Sequence, residues 1–218
     1  MKHLLRTLLV LAPVALSAQT IVGSKHDLSN TGANKVFNAG VAQNQVCVYC
    51  HTPHNAVAST NGPIWNRTAS VATYTMYTSA TIKGAIAATP GAQSMSCLSC
   101  HDGTVAMFNL TNTYSGAVTA ANMNAAATGN VNKTTGMLTG LAMVGPVLTN
   151  DHPIAIDHNP TLNSGLKPVA TVKLTLPLYG ATNKVECASC HDVHIPTNVP
   201  FLRISNAASA VCTTCHIK

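Results

Sequence analysis

The eight cysteines of this 218-residue chain constrain it more than any other feature. They stand at Cys47, Cys50, Cys97, Cys100, Cys187, Cys190, Cys212 and Cys215, so every one belongs to a Cys-x-x-Cys pair. Each pair is followed at once by a histidine: His51, His101, His191 and His216. An even cysteine count in an exported chain ordinarily suggests disulfides, but a disulfide framework has no use for histidine after each second cysteine. Zinc accepts thiolate and imidazole, yet each cluster would supply three ligands and leave the fourth to be found elsewhere. Thioredoxin-like redox pairs need a βαβ context that this sequence lacks.

Cys-x-x-Cys-His is the spacing of covalent c-type haem attachment. Two thiols on one helical turn reach the two vinyl groups along one porphyrin edge. The next histidine then falls beneath the ring as the proximal iron ligand. "CVYCH", "CLSCH", "CASCH" and "CTTCH" all satisfy this, and they specify four c-type haems. The last two motifs start only 25 residues apart, at Cys187 and Cys212, which keeps their haems close.

A haem held by one histidine has a second iron face to fill. Outside the leader, the spare histidines are His26, His54, His152, His158 and His194. Five candidates for four irons are enough to close every site, which favours electron transfer over catalysis. His54 and His194 share a frame, each three residues after a proximal histidine, in "CVYCHTPH" and "CASCHDVH". His26 and His152 each adjoin an aspartate, a candidate orienter for imidazole. These four are the expected distal ligands, with His158 the runner-up. Three extended residues span at most about 10 Å, too short to round the porphyrin edge, so His54 and His194 must serve haems other than their own, or none. The sequence leaves the distal pairing open. The methionines have no comparable frame and read as packing.

Composition agrees with a chain built around cofactor. Aromatic residues make up 4% and charged residues 8%, so the large anchors of an ordinary core are scarce. A low-charge surface suits burial against other copies. "MKHLLRTLLVLAPVALSA" has the charged start, short apolar run and small-residue end of an export signal, with cleavage expected after Ser17 or Ala18. That assigns 1–18 to a signal peptide and 19–218 to a single domain, exported and not membrane-spanning once processed. Without Lys2 and Arg6, the formal charge of +6 falls to +4. The propionates of four haems bring it to about zero when oxidised and about −4 when reduced, so no nucleic-acid partner is expected.

The expected fold is mostly irregular and loop-rich, with short α-helices, a few short strands and a stacked haem chain. Short helices should carry the four motifs. "TVKLTLPLY", 171–179, alternates Val172, Leu174 and Leu176 and reads as the best strand. Residues 109–136, rich in Asn, Thr, Ala and Gly, read as a long surface loop or contact face. Asn66, Asn109 and Asn132 begin N-x-T triplets, an acceptor pattern for glycosylation. No Ser–His–Asp set, phosphate loop or carboxylate pair is present, and the chain is expected not to be an enzyme. Asp102 and Asp192 follow proximal histidines and read as local hydrogen-bond partners.

"SKHDLS", "CVYCHTPHNA", "GPIWNR", "CLSCHDGTVA", "NDHPI", "CASCHDVH" and "FLRISNAASAVCTTCH" occur in the order typical of OmcE-like tetrahaem cytochromes, and from about residue 24 to 216 the chain resembles that family. The resemblance implies bis-histidine haems in a stack. It also implies self-association into an extracellular filament that conducts electrons from cellular donors to outside acceptors. In such filaments one axial histidine comes from the neighbouring subunit. The corresponding donor in a similar hexahaem protein maps to His54; the extra His158 departs from the pattern. Against this extracellular conduit stand a monomeric periplasmic carrier and a multihaem reductase with one open iron.

Overall fold

The structure is a computed structural model describing residues 20–57, 64–113, 116–127 and 129–218; the leader expected over 1–18 lies outside them. Regular structure is sparse among these residues, as the scarcity of long apolar periodicities dictates. Four short helices stand out: α1 (Ala92–His101), α2 (Val169–Lys173), α3 (Cys187–Cys190) and α4 (Ala210–Cys215). A two-stranded antiparallel sheet joins β1 (Ile156–Asp157) to β2 (Lys184–Val185), with Ile156 opposite Val185. A 3-10 turn, Val46–Tyr49, precedes Cys50. Three of the motifs thus ride on helices and the first on a 3-10 turn. No helix among the described residues is long and apolar enough to cross a membrane.

Apolar side chains gather in three separate clusters. The largest joins Leu28, Val36, Phe37, Tyr49, Met107 and Met123, with Phe37 and Tyr49 stacked at 5.0 Å and Cys50 and Cys100 packed against it. Tyr74, Leu98 and Leu148 form a second cluster behind α1. Val172, Leu176 and Leu178 form a third, against which Cys215 packs. Cysteines of three motifs therefore lie at the margins of the clusters, where a haem would extend them.

One expectation is corrected and two are refined. The segment 171–179 is not a strand: α2 runs through its start, Val172 and Leu176 are buried four residues apart, and Leu174 is 87% exposed. Four-residue spacing of buried positions is helical, and Pro168, immediately before α2, suits a helix start. The described residues of 109–136 are mainly irregular and mostly exposed, as expected of a surface loop, and the loop is anchored at a few points. Val118 and Met123 are buried in the main cluster, and Phe37 pairs with Met123 across a β-bridge. Asn66 is fully buried, and its Nδ2 donates to the carbonyls of Val48 (2.7 Å) and Asn112 (2.9 Å), so it offers no glycosylation site in the folded chain; Asn109 and Asn132 are exposed.

Candidate haem-binding site

The Cys-x-x-Cys-His segments share one local geometry. The backbone N–H of His51, His191 and His216 donates to the carbonyl of the first cysteine, Cys47, Cys187 and Cys212, at 2.8, 3.0 and 2.9 Å. This single turn brings both thiols to one side, as attachment to one porphyrin edge requires. After the turn the chain is extended at His191 and His216. Each proximal histidine is then pinned by a second segment. His51 bridges to Trp65, His191 to Leu202 and His216 to Leu166, while the His101 carbonyl accepts from the N–H groups of Val144 and Gly145.

The four cysteine pairs succeed one another in space in sequence order. Cys50 lies within electrostatic reach of Cys100, the Cys97 and Cys187 thiols are hydrogen-bonded to each other, and Cys190 neighbours Cys215. The contact between the second and third motifs is the docking of α1 on α3. Ser94 Oγ donates to Glu186 (2.5 Å) and accepts from the Cys187 N–H (3.0 Å). None of the eight cysteines is joined in a disulfide, and among the described residues no three His, Cys, Asp or Glu side chains converge as a metal cluster. Burial pushes the Cys50 thiol up to about 12 and the Cys190 thiol up to about 11.

The histidine rings supply the test of fit to haem. Metal–imidazole bonds of about 2 Å on both faces of a porphyrin put the two ring centres about 6 to 6.5 Å apart. Three pairs stand at this separation: His26 and His101 at 6.0 Å, His51 and His194 at 6.3 Å, and His152 and His216 at 6.5 Å. Each pair joins one proximal and one expected distal histidine. Ring nitrogens are directed to match. Nδ1 of His101 meets the Ala142 carbonyl (2.6 Å), that of His191 the Pro200 carbonyl (2.9 Å), that of His152 the Pro153 carbonyl (3.1 Å) and that of His194 the Asp192 carboxylate (3.1 Å). A ring whose Nδ1 is tied to an acceptor presents Nε2 to a metal. In His26 the buried Nδ1 has no partner, and burial, with the nearby His101 next in weight, lowers its pKa to about 4. Burial also lowers His101 and His216. All three are thereby held in the neutral form that ligates iron. The residues present fit the group.

Two expected ligands behave differently. His54 is exposed, and His191 has no histidine ring opposite it at this spacing among the described residues. The runner-up His158 is 4% exposed and its Nε2 is spent on the Lys167 carbonyl at 2.8 Å, which makes it a structural residue. The aspartates beside His26 and His152 do not orient those rings: Asp27 engages Gly23, Ser29 and Thr31, and Asp151 is exposed. Asp192 does orient His194, and Arg203 neutralises it at 2.9 Å. Sequence reasoning missed the aromatic walls, Trp65 edge-on to His51 and Phe201 edge-on to His26 at 4.4 Å. It also missed the backbone carbonyls that fix Nδ1, which have no side-chain signature.

Residues 180–218, spanning the third and fourth motifs, match the family described as the doubled CXXCH motif. No curated protein matches the chain. The match and the motif geometry together define a multihaem c-type cytochrome-like protein. Its CXXCH motifs carry covalently bound c-type haem, and its function is haem-based electron transfer.

Proposed function

We propose that the chain holds four c-type haems, each between two histidines, and that it is the repeating subunit of an extracellular electron-conducting filament of the OmcE-like kind. The observation that carries this reading is the mismatch at the third motif. Three proximal histidines face a distal histidine of the same chain, whereas His191 faces none among the described residues and His54 stands exposed. A neighbouring copy satisfies both at once, its His54 completing the iron of His191. The pairs then read His51 with His194, His101 with His26, and His216 with His152.

When bound, haem supplies a one-electron couple between ferric and ferrous iron. The chain's own residues do the rest. The eight cysteines would hold the porphyrin edges, and the nearness of Cys50 to Cys100, Cys97 to Cys187 and Cys190 to Cys215 would keep successive edges adjacent. Histidine on both faces of every iron leaves no position for a substrate, so the protein is a conduit and not an enzyme. An N-terminal leader over 1–18 delivers the domain of 19–218 out of the cell.

The open face at His191 taken alone also suits the reductase reading, in which that iron binds substrate, but that reading leaves the exposed His54 without a role. Carbon monoxide separates the two, because it binds ferrous haem only where a ligand position is free. Assembled protein should bind none. His54→Ala should abolish polymers and leave one haem in four five-coordinate, high-spin and reactive with carbon monoxide. Low-spin spectra for every haem in isolated monomers, with no polymer by electron microscopy, would count against the filament. Carbon monoxide binding to native assembled protein would favour the reductase.

A further inference from the structure

We infer that the haem held between His26 and His101 has the lowest reduction potential of the four, because each of its histidines is followed in the chain by a buried carboxylate that no cation among the described residues pairs with. The inference rests on the ligand pairing proposed above. Asp27 is fully buried and Asp102 is 2% exposed. Both carboxylates accept four hydrogen bonds, two on each oxygen. Asp27 Oδ1 accepts from the N–H (3.0 Å) and Oγ (2.5 Å) of Ser29, and its Oδ2 from the Gly23 N–H (2.8 Å) and Thr31 Oγ1 (3.3 Å). Asp102 Oδ1 accepts from the N–H (2.8 Å) and Oγ1 (2.9 Å) of Thr104, and its Oδ2 from Ser70 Oγ and Tyr74 Oη. An ionised carboxylate has about four such acceptor sites, and here neutral donors fill them all. The two charges are thus held without being cancelled.

In the other ligand pairs no histidine adjoins a buried carboxylate left without a cation, although the charge of Asp27 is also felt by Tyr49 in the first motif. Thr52 follows His51, and the partner of His51, His194, bonds an aspartate already paired with Arg203. His191 is followed by that same neutralised Asp192. Asp151, before His152, is exposed to water, which screens it. Glu186 is buried at the cysteine edge shared by the second and third motifs, so it acts on both haems. Arg67 is fully buried and donates to the carbonyls of Tyr49, Ala106 and Met107, with no carboxylate among these partners. Its charge reaches Cys50, on the first haem, which it biases the opposite way.

Ferric haem carries one more positive charge than ferrous haem, so a fixed negative charge in a low-dielectric setting favours the ferric state. The exchange moves one electron. The second haem is therefore the high point that electrons climb between the first and third.

The test is a redox titration of the intact haem-loaded protein, resolved by haem through NMR of the haem methyl signals. In the unmodified protein, the haem nearest α1 should be the last to be reduced as the potential is lowered. Any other order overturns the inference without recourse to a variant. Asp27→Asn and Asp102→Asn should each raise that haem's ferrous-to-ferric ratio at fixed potential by at least about tenfold, equivalent to about 59 mV. The low-spin spectrum should stay intact, and Asp102→Glu should restore the low potential. An unchanged lowest potential in both Asn variants also overturns the inference. His26→Ala separates the two levels. If every haem remains six-coordinate in it, the pairing is wrong; if the second haem opens while the Asn variants stay silent, the pairing stands and the inference falls.

Discussion

At the scale of single residues, the roles of the histidines turn on which ring nitrogen is spent. His152 ties Nδ1 to a backbone carbonyl and keeps Nε2, whereas His158, six residues on, spends Nε2 on Lys167. His158→Ala should therefore leave the haem absorption spectrum unchanged and cost about 1–3 kcal/mol of stability, the usual penalty for a buried hydrogen bond undone. His152→Ala should convert one haem from low-spin to high-spin. Visible spectra and denaturant titrations of the two variants check this, and the opposite pattern would exchange their roles. The cysteines and proximal histidines were legible because covalent attachment permits one spacing. The distal set was legible as a count but not as a pairing, because His26 and His101 are brought together by tertiary structure alone. Nor does the sequence distinguish the aspartate that orients a ring, Asp192, from Asp27, which turns away into its own loop.

At the scale of elements, α2 shows how a short apolar pattern misleads. Val172, Leu174 and Leu176 alternate as a strand would, yet Val172 and Leu176 are buried and Leu174 points to solvent. Three apolar residues at spacing two also contain a pair at spacing four, and over so short a stretch both periods fit. Pro168 and the burial of Leu178 decide for the helix and its docking. Leu176→Ala should destabilise the protein by about 2–5 kcal/mol, as large-to-small core changes do. Leu174→Ser should stay within about 0.5 kcal/mol. Chemical denaturation of the two variants measures the difference, and equal effects would restore the strand. The motif-bearing turns were easier to read, since their form is dictated by the haem edge and not by an apolar face.

At the scale of the whole molecule, three small clusters replace a single core, and cysteines flank two of them. The low aromatic content agrees with three small clusters in place of one large core. What composition could not convey is the order of the attachment edges, which depends on contacts such as Ser94 with Glu186 across 92 residues of chain. The same scale holds the central claim, that one ligand is missing within the subunit and arrives from the next. Cryo-electron microscopy of the native secreted material tests it most directly. The account predicts a filament in which four haems follow in sequence order through each subunit. His51 is then paired with His194, His101 with His26 and His216 with His152, and the iron of His191 is closed by the partner subunit's His54. A monomer, or a filament in which His54 meets no iron, would contradict it.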